Sequence, residues 1–398
     1  MISISNLLCG SASYGDALRY GEDAPAGSAG DPPALAHRRP VVVWNITRRC
    51  NLRCVHCYFS SQDREYAGEF TTAEAMRLID DLAGYGAPVL LFSGGEPLLR
   101  DDLIPLAEHA VGRSVRVVIS TNGTLITPDF ARRARAAGVS YVGVSLDGVE
   151  ATHDRFRGRK RAFAESLRGI KLCREAGLKV GVRFTITRHN AADLGPLFDL
   201  IERESIPRLC VYHLAYAGRG SRLVADDLSH EQSRAALDLV IERTRRLHQA
   251  GSDREILTVD NHADGPYLYL RLQREGPERA AQVYRLLLRN GGNSSGVGIA
   301  DIDNLGEVHA DQFWQHYSFG NVRHRPFAEI WDDTSDPVMA GLKAKKQYVK
   351  GRCARCRFLE VCAGNLRVRA EAVYADLWAP DPACYLTDEE IGLDGAAA

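Results

Sequence analysis

Between residue 41 and about residue 250, short apolar runs alternate with amphipathic stretches. This alternation limits the fold more than any other feature of the chain. The apolar runs are Val41–Thr47, Val89–Ser93, Val115–Thr121, Tyr141–Asp147, Lys179–Thr187 and Leu209–Ala215. Their lengths and β-branched content fit strands. The amphipathic stretches are Thr72–Tyr85, Asp101–Val111, Pro128–Ala137, Ala162–Ala176, Ala192–Glu204 and Glu231–Gln249. Thr71 with Glu74 forms a capping box ahead of the first of them. Six β–α units in succession predict an α/β fold with a parallel sheet and outer helices. The sheet is either doubly wound or an incomplete barrel, and in both the chemistry belongs at the C-terminal strand ends.

Beyond residue 250 the pattern changes. Residues 253–290 read as charged helix. Gly296–Phe313 reads as a hairpin that alternates Val297, Ile299 and Ile302, turns at Asn304-Leu305-Gly306 and returns through Val308. A short helix is expected around Pro326–Trp331. Residues 1–39, rich in Gly, Ala, Pro and Asp, are expected to be a disordered leader. The expected division is 1–39 leader, 40–250 core domain and 251–398 bridging region with a smaller α+β domain. With 398 residues, 45% apolar and 25% charged, the chain has ordinary globular composition. A net charge of -1 argues against nucleic acid, and no run of eighteen apolar residues suggests a membrane span.

Seven of the ten cysteines fall in two groups: Cys50, Cys54 and Cys57, then Cys353, Cys356, Cys362 and Cys384. No secretory signal precedes them, so a cytoplasmic setting is expected, where clustered thiols are metal or redox groups rather than disulfides. Cys173 and Cys210 lie in apolar runs and are expected to be small core residues. The first group, C-x3-C-x2-C, begins where the first strand ends. Soft thiolates suit an iron–sulfur cluster or zinc. Three ligands fill a structural zinc site poorly but leave one cluster iron open. The second group supplies four thiols, for which zinc and a 4Fe–4S cluster compete on chemistry alone.

The first group, with His56 in an aromatic place before its last cysteine, resembles the signature of the radical S-adenosylmethionine (SAM) superfamily. Ser93-Gly94-Gly95-Glu96-Pro97 resembles the GGEP segment of that family. Ser120-Thr121-Asn122-Gly123 and Ser145-Leu146-Asp147-Gly148 resemble its SAM-contacting strand ends, and His153–Gly158 is similar to members with an auxiliary-cluster domain. The resemblance implies a partial (β/α)6 TIM-like barrel and a 4Fe–4S cluster on Cys50, Cys54 and Cys57. It implies SAM contacts from Gly94, Gly95, Glu96, Ser120, Asn122, Ser145 and Asp147, with Glu96 accepting from the SAM ammonium. Reductive cleavage of SAM to a 5′-deoxyadenosyl radical is the implied chemistry, with reduced ferredoxin or flavodoxin as electron donor.

In this context the C-terminal group resembles the SPASM/twitch region, which implies a second 4Fe–4S cluster on Cys353, Cys356, Cys362 and Cys384. Ala363-Gly364-Asn365 and His309-Ala310-Asp311 depart from the full pattern, so one auxiliary cluster is expected, not two. Val43–Arg49, Gly291–Gly296, Gln312–Trp314, Gly320–Arg323, Gly364–Arg369 and Asp381–Thr387 are similar to the heme d1 biosynthesis (NirJ) family. That resemblance implies a tetrapyrrole substrate, didecarboxysiroheme, losing two propionate side chains. Arg219, Arg222, Arg367 and Arg369 are candidates for its carboxylates; His213, His309 and His316 are given no role. The alternatives are a relative making heme from siroheme, a peptide-modifying relative, and, from another class, a zinc-binding scaffold.

Overall fold

A computed structural model describes residues 1–13, 15–21 and 39–393. Its strands are β1 (Ile2–Ser3), β2 (Val41–Thr47), β3 (Val89–Gly94), β4 (Arg116–Thr121), β5 (Tyr141–Ser145), β6 (Val180–Ile186), β7 (Arg208–His213), β8 (Glu255–Val259), β9 (Ile299–Ile302) and β10 (Val308–His309). The helices are α1 (Ile4–Cys9), α2 (Asp16–Tyr20), α3 (Thr72–Tyr85), α4 (Leu103–Gly112), α5 (Pro128–Ala136), α6 (Glu150–Arg157), α7 (Ala162–Glu175), α8 (Leu194–Arg203), α9 (His230–Gln249), α10 (Asp264–Glu275) and α11 (Pro277–Asn290). They continue with α12 (Phe327–Trp331), α13 (Pro337–Lys343), α14 (Gly351–Ala354), α15 (Leu359–Cys362) and α16 (Arg367–Tyr374).

All the strands join one open sheet in the order β1-β8-β7-β6-β5-β4-β3-β2-β9-β10. From β2 to β8 every neighbouring pair is parallel. The expected α/β architecture with a parallel sheet is therefore present, curved into a partial barrel that does not close. The six predicted units reappear within two residues at nearly every boundary, and the Thr71–Glu74 capping box opens α3. Helix faces such as Ala75, Leu78, Ile79 and Leu82 of α3 pack on the outer side of the sheet, in one continuous core. Cys173 is fully buried there.

Three expectations are corrected. The stretch 253–290 is not all helix: Glu255–Val259 is the buried strand β8, parallel to β7. Its single short run, flanked by charge, carries too little periodicity to separate it from the helices that follow. The predicted hairpin forms as β9 and β10, but β9 also adds in parallel to β2, with Val42 opposite Ala300. The sheet therefore crosses the boundary drawn at residue 250. Finally, residues 1–13 and 15–21 are ordered into the fold rather than disordered. Ile2 pairs antiparallel with Thr258, and Ile2, Ile4, Leu7 and Tyr20 are buried in the main core. The Gly- and Pro-rich part of the predicted leader, residues 22–38, lies outside the described residues.

Candidate active site

The cysteine loop leaves the end of β2 and is held by the glycine pair at the end of β3. Gly94 has φ 123°, and a Cβ on Gly95 would overlap the Arg49 carbonyl. Only glycine permits this approach. It lets Gly95 N donate to Thr47 O at 2.7 Å and Glu96 N to Arg49 O at 2.9 Å. The expected role of the glycines, close backbone approach, is met first by the chain itself. Arg219 straps the loop: its Nε donates to Cys54 O at 2.7 Å and its Nη1 to Ser61 O at 2.8 Å.

Cys50, Cys54 and Cys57 line one cavity of about 180 Å³ at the C-terminal strand ends. Ser93, Gly94, Gly95, Ser120, Asn122 and Ser145 line the same cavity. The fold thus brings together all three thiols and five of the seven residues singled out beside them, Gly94, Gly95, Ser120, Asn122 and Ser145. Glu96 and Asp147 stand behind the wall instead, both fully buried. Glu96 accepts from Thr121 Oγ1 at 2.6 Å, Asn122 N at 2.8 Å and Leu98 N at 3.1 Å. Burial pushes its carboxyl up to about 7, against the pull of those three donors. Its acceptors serve the chain's own strand end.

Asp147 pairs with Arg157 at 2.5 Å and with His56 Nε2 at 3.2 Å, and accepts from Thr185 N at 2.9 Å. These partners hold its carboxyl well below the usual range despite burial. Arg157 in turn donates to Cys54 Sγ at 3.4 Å, and Leu52 N donates to Cys50 Sγ at 3.4 Å. Burial pushes the Cys50 and Cys54 thiols up, and the Arg157 charge pulls Cys54 back. Buried thiolates therefore call for positive charge beyond Arg157. Among the described residues no three His, Cys, Asp or Glu groups are drawn together as a single-ion site. Three thiols spread around a cavity, two of them receiving N–H donors, match the needs of a cluster with an open iron.

A second cavity of about 550 Å³ fills the inside of the barrel. It shares Val43, Leu91, Arg183, Tyr212, Asp260, Gln312 and Phe313 with the first. Together they fall in the range of small-molecule and cofactor sites. Sequence reading missed Arg183. Its only signal was a cation in the apolar strand Val180–Ile186. The arginines singled out instead do other work. Arg367 donates to the carbonyls of Leu377 and Ala379, and Arg369 pairs with Asp381 at 2.8 Å. Arg222 is exposed. His213 and His316 pair with Asp264 and Glu371.

Cys353, Cys356, Cys362 and Cys384 surround a separate small cavity beside α14 and α15, with Phe358, Leu386 and Ile391. Phe358 N donates to Cys356 Sγ at 3.3 Å. The Gly291-Gly292 turn lies on this loop: a Cβ on Gly292, at φ 78°, would overlap the Cys362 carbonyl, and Asn293 N donates to Cys362 O at 3.1 Å. Lys345 Nζ clamps the turn through Asn293 O at 2.9 Å and Ser295 O at 2.8 Å.

The radical SAM superfamily model matches residues 44–201. The chain is 58% identical to Fe-coproporphyrin III synthase of Methanosarcina barkeri, over 98% of this chain and 99% of that protein. It is 44% identical to pre-heme d1 synthase of Dinoroseobacter shibae, over 91% and 90% of the two chains. To an AdoMet-dependent heme synthase of M. barkeri it is 33% identical over 88% and 97%. The solved structure of native anSMEcpe with bound AdoMet shares the fold at a TM-score of 0.68 and 16% identity, covering 88% of this chain and 95% of that one. The chain belongs to the radical SAM superfamily.

Proposed function

We propose that Cys50, Cys54 and Cys57 hold a 4Fe–4S cluster that binds SAM, and that the enzyme remodels side chains of a siroheme-derived iron tetrapyrrole to give Fe-coproporphyrin III. The chemistry rests on the three thiols facing one cavity with Ser93, Gly94, Ser120, Asn122 and Ser145. The substrate class rests on the relative that matches nearly end to end. When bound, the cluster supplies the electron that cleaves SAM to methionine and a 5′-deoxyadenosyl radical, which takes hydrogen from a substrate side chain.

The chain's own residues hold this site in shape. Arg157 and the Leu52 N–H stabilise thiolates at Cys54 and Cys50. Glu96 fixes the Thr121–Asn122 strand end by accepting its hydroxyl and amide protons. The adjoining interior cavity is where we place the tetrapyrrole, against SAM. Cys353, Cys356, Cys362 and Cys384 hold a second 4Fe–4S cluster. Four thiols leave no iron open, so this cluster conducts electrons or braces the fold.

A second reading is favoured by the 44% identity to pre-heme d1 synthase and by the motifs similar to that branch: loss of two propionates from didecarboxysiroheme. Product identity separates the two. The reconstituted enzyme is given SAM, reductant and didecarboxysiroheme without oxygen, and the pigment is identified by mass and spectrum. Fe-coproporphyrin III supports the first reading, and a product lacking two propionates supports the second. An unchanged pigment alongside 5′-deoxyadenosine would remove both.

A further inference from the structure

Arg183 extends from β6 into the barrel and lines both cavities where they meet. Its register partner on β5 is Ser145, and its side chain leans over Gly143, which pairs with Gly181. A Cβ on Gly143 would stand 2.8 Å from Arg183 Nε and 3.0 Å from its Cδ, so the missing side chain is the slot that seats the arginine. One guanidinium nitrogen donates to Ser120 Oγ, the guanidinium carbon lies 5.6 Å from the centre of the Tyr212 ring, and the buried Nε has no partner. Among the described residues Arg183 forms no ion pair. The groups that bear on it most are the phenols of Tyr212, Tyr141 and Tyr58 and the Cys210 thiol, and Asp260, which lines the same junction, makes no ion pair with it. Burial raises the pKa of the three phenols and the thiol, which keeps them neutral.

Of the other arginines lining these cavities, Arg157 is matched by Asp147, Arg19 by Asp16 and Glu255, and Arg208 by Glu255, while Arg219 spends its donors on the Cys54 and Ser61 carbonyls. Arg183 is half-buried with its Nε buried and unpartnered; a guanidinium so placed without an anion is costly, and a ligand carboxylate supplies what the chain withholds. Resting on the tetrapyrrole reading above, we infer that Arg183 is the anchor for a substrate side-chain carboxylate, held at the junction so that the arm bearing it faces the SAM cavity. A carboxylate could also come from SAM itself, and the test separates the two sources.

The holoenzyme, reconstituted without oxygen, is titrated with Fe-coproporphyrin III and with its tetramethyl ester, which has no carboxylate; SAM binding is measured by equilibrium dialysis. In Arg183→Gln, Kd for the free acid rises about tenfold or more, while Kd for the ester and for SAM stays within about threefold. Arg183→Lys recovers part of the loss. Gly143→Ala, which crowds the guanidinium without removing its charge, weakens the free acid in the same direction. If Arg183→Gln instead weakens SAM and leaves the acid unchanged, the anchor belongs to SAM and the inference is overturned. If the wild type binds the acid and the variant binds it equally, Arg183 alone is wrong. A wild type that binds neither pigment overturns the tetrapyrrole reading and the inference with it.

Discussion

Arg157 reaches the cysteine loop from α6, pairing with Asp147 at 2.5 Å while donating to the Cys54 sulfur at 3.4 Å. The pair lies entirely inside the protein, so its value is not the attraction alone but the cost of breaking it. Asp147→Asn strands the guanidinium, and the unfolding free energy should drop by about 3–5 kcal/mol in a urea titration of the holoenzyme. A change near zero would place Asp147 on the ligand side after all. At this scale the sequence was read best where covalent spacing carries the chemistry. The three thiols and the small polar residues at the strand ends all reach the cavity. Glu96 and Asp147 are engaged by the chain itself, which the sequence did not show, because residue type says what a carboxylate can accept, not which of the chain's own groups reach it. Arg183 was missed because its meaning depends on a glycine one strand away.

Strand ends and tight turns position both thiol groups. The Gly291-Gly292 turn follows α11 and presses directly against the Cys362 backbone. No other residue fits there, since Gly292 combines φ 78° with a backbone contact that a methyl group would overlap. Gly292→Ala should therefore disturb the second thiol group and spare the first. Iron analysis after reconstitution should fall from about eight to about four per chain, with SAM binding retained. Eight irons in the variant would show that the turn does not hold Cys362. The elements themselves were legible because apolar periodicity marks a strand with one face on the core and one on the helices. The β9 hairpin was visible for the same reason. Its parallel pairing with β2 was not, because local pattern does not encode which distant edge a strand joins.

Across the whole molecule, the sheet unites what composition divided. The N-terminal arm supplies β1 at one edge and β9 with β10 extends the other, so the barrel is flanked on both sides by segments outside its six units. The arm was misread because low-complexity composition next to it dominates the window, whereas Ile2, Ile4, Leu7 and Leu8 are few but buried. Leu7→Ala should cost about 2–5 kcal/mol, as at any packed core site, when measured by denaturant unfolding. A mobile leader would show no change. No helix among the described residues is long and apolar enough to cross a membrane.

Reductive cleavage of SAM by the trio Cys50, Cys54 and Cys57 is the centre of the account. The direct measurement is 5′-deoxyadenosine formed per chain, without oxygen, by reconstituted wild type and by Cys54→Ala under SAM and dithionite. Formation by the wild type and its loss in Cys54→Ala, with about four irons remaining on the second group, is the predicted result. Equal formation by both proteins, or none by a wild type carrying its full iron, would contradict it.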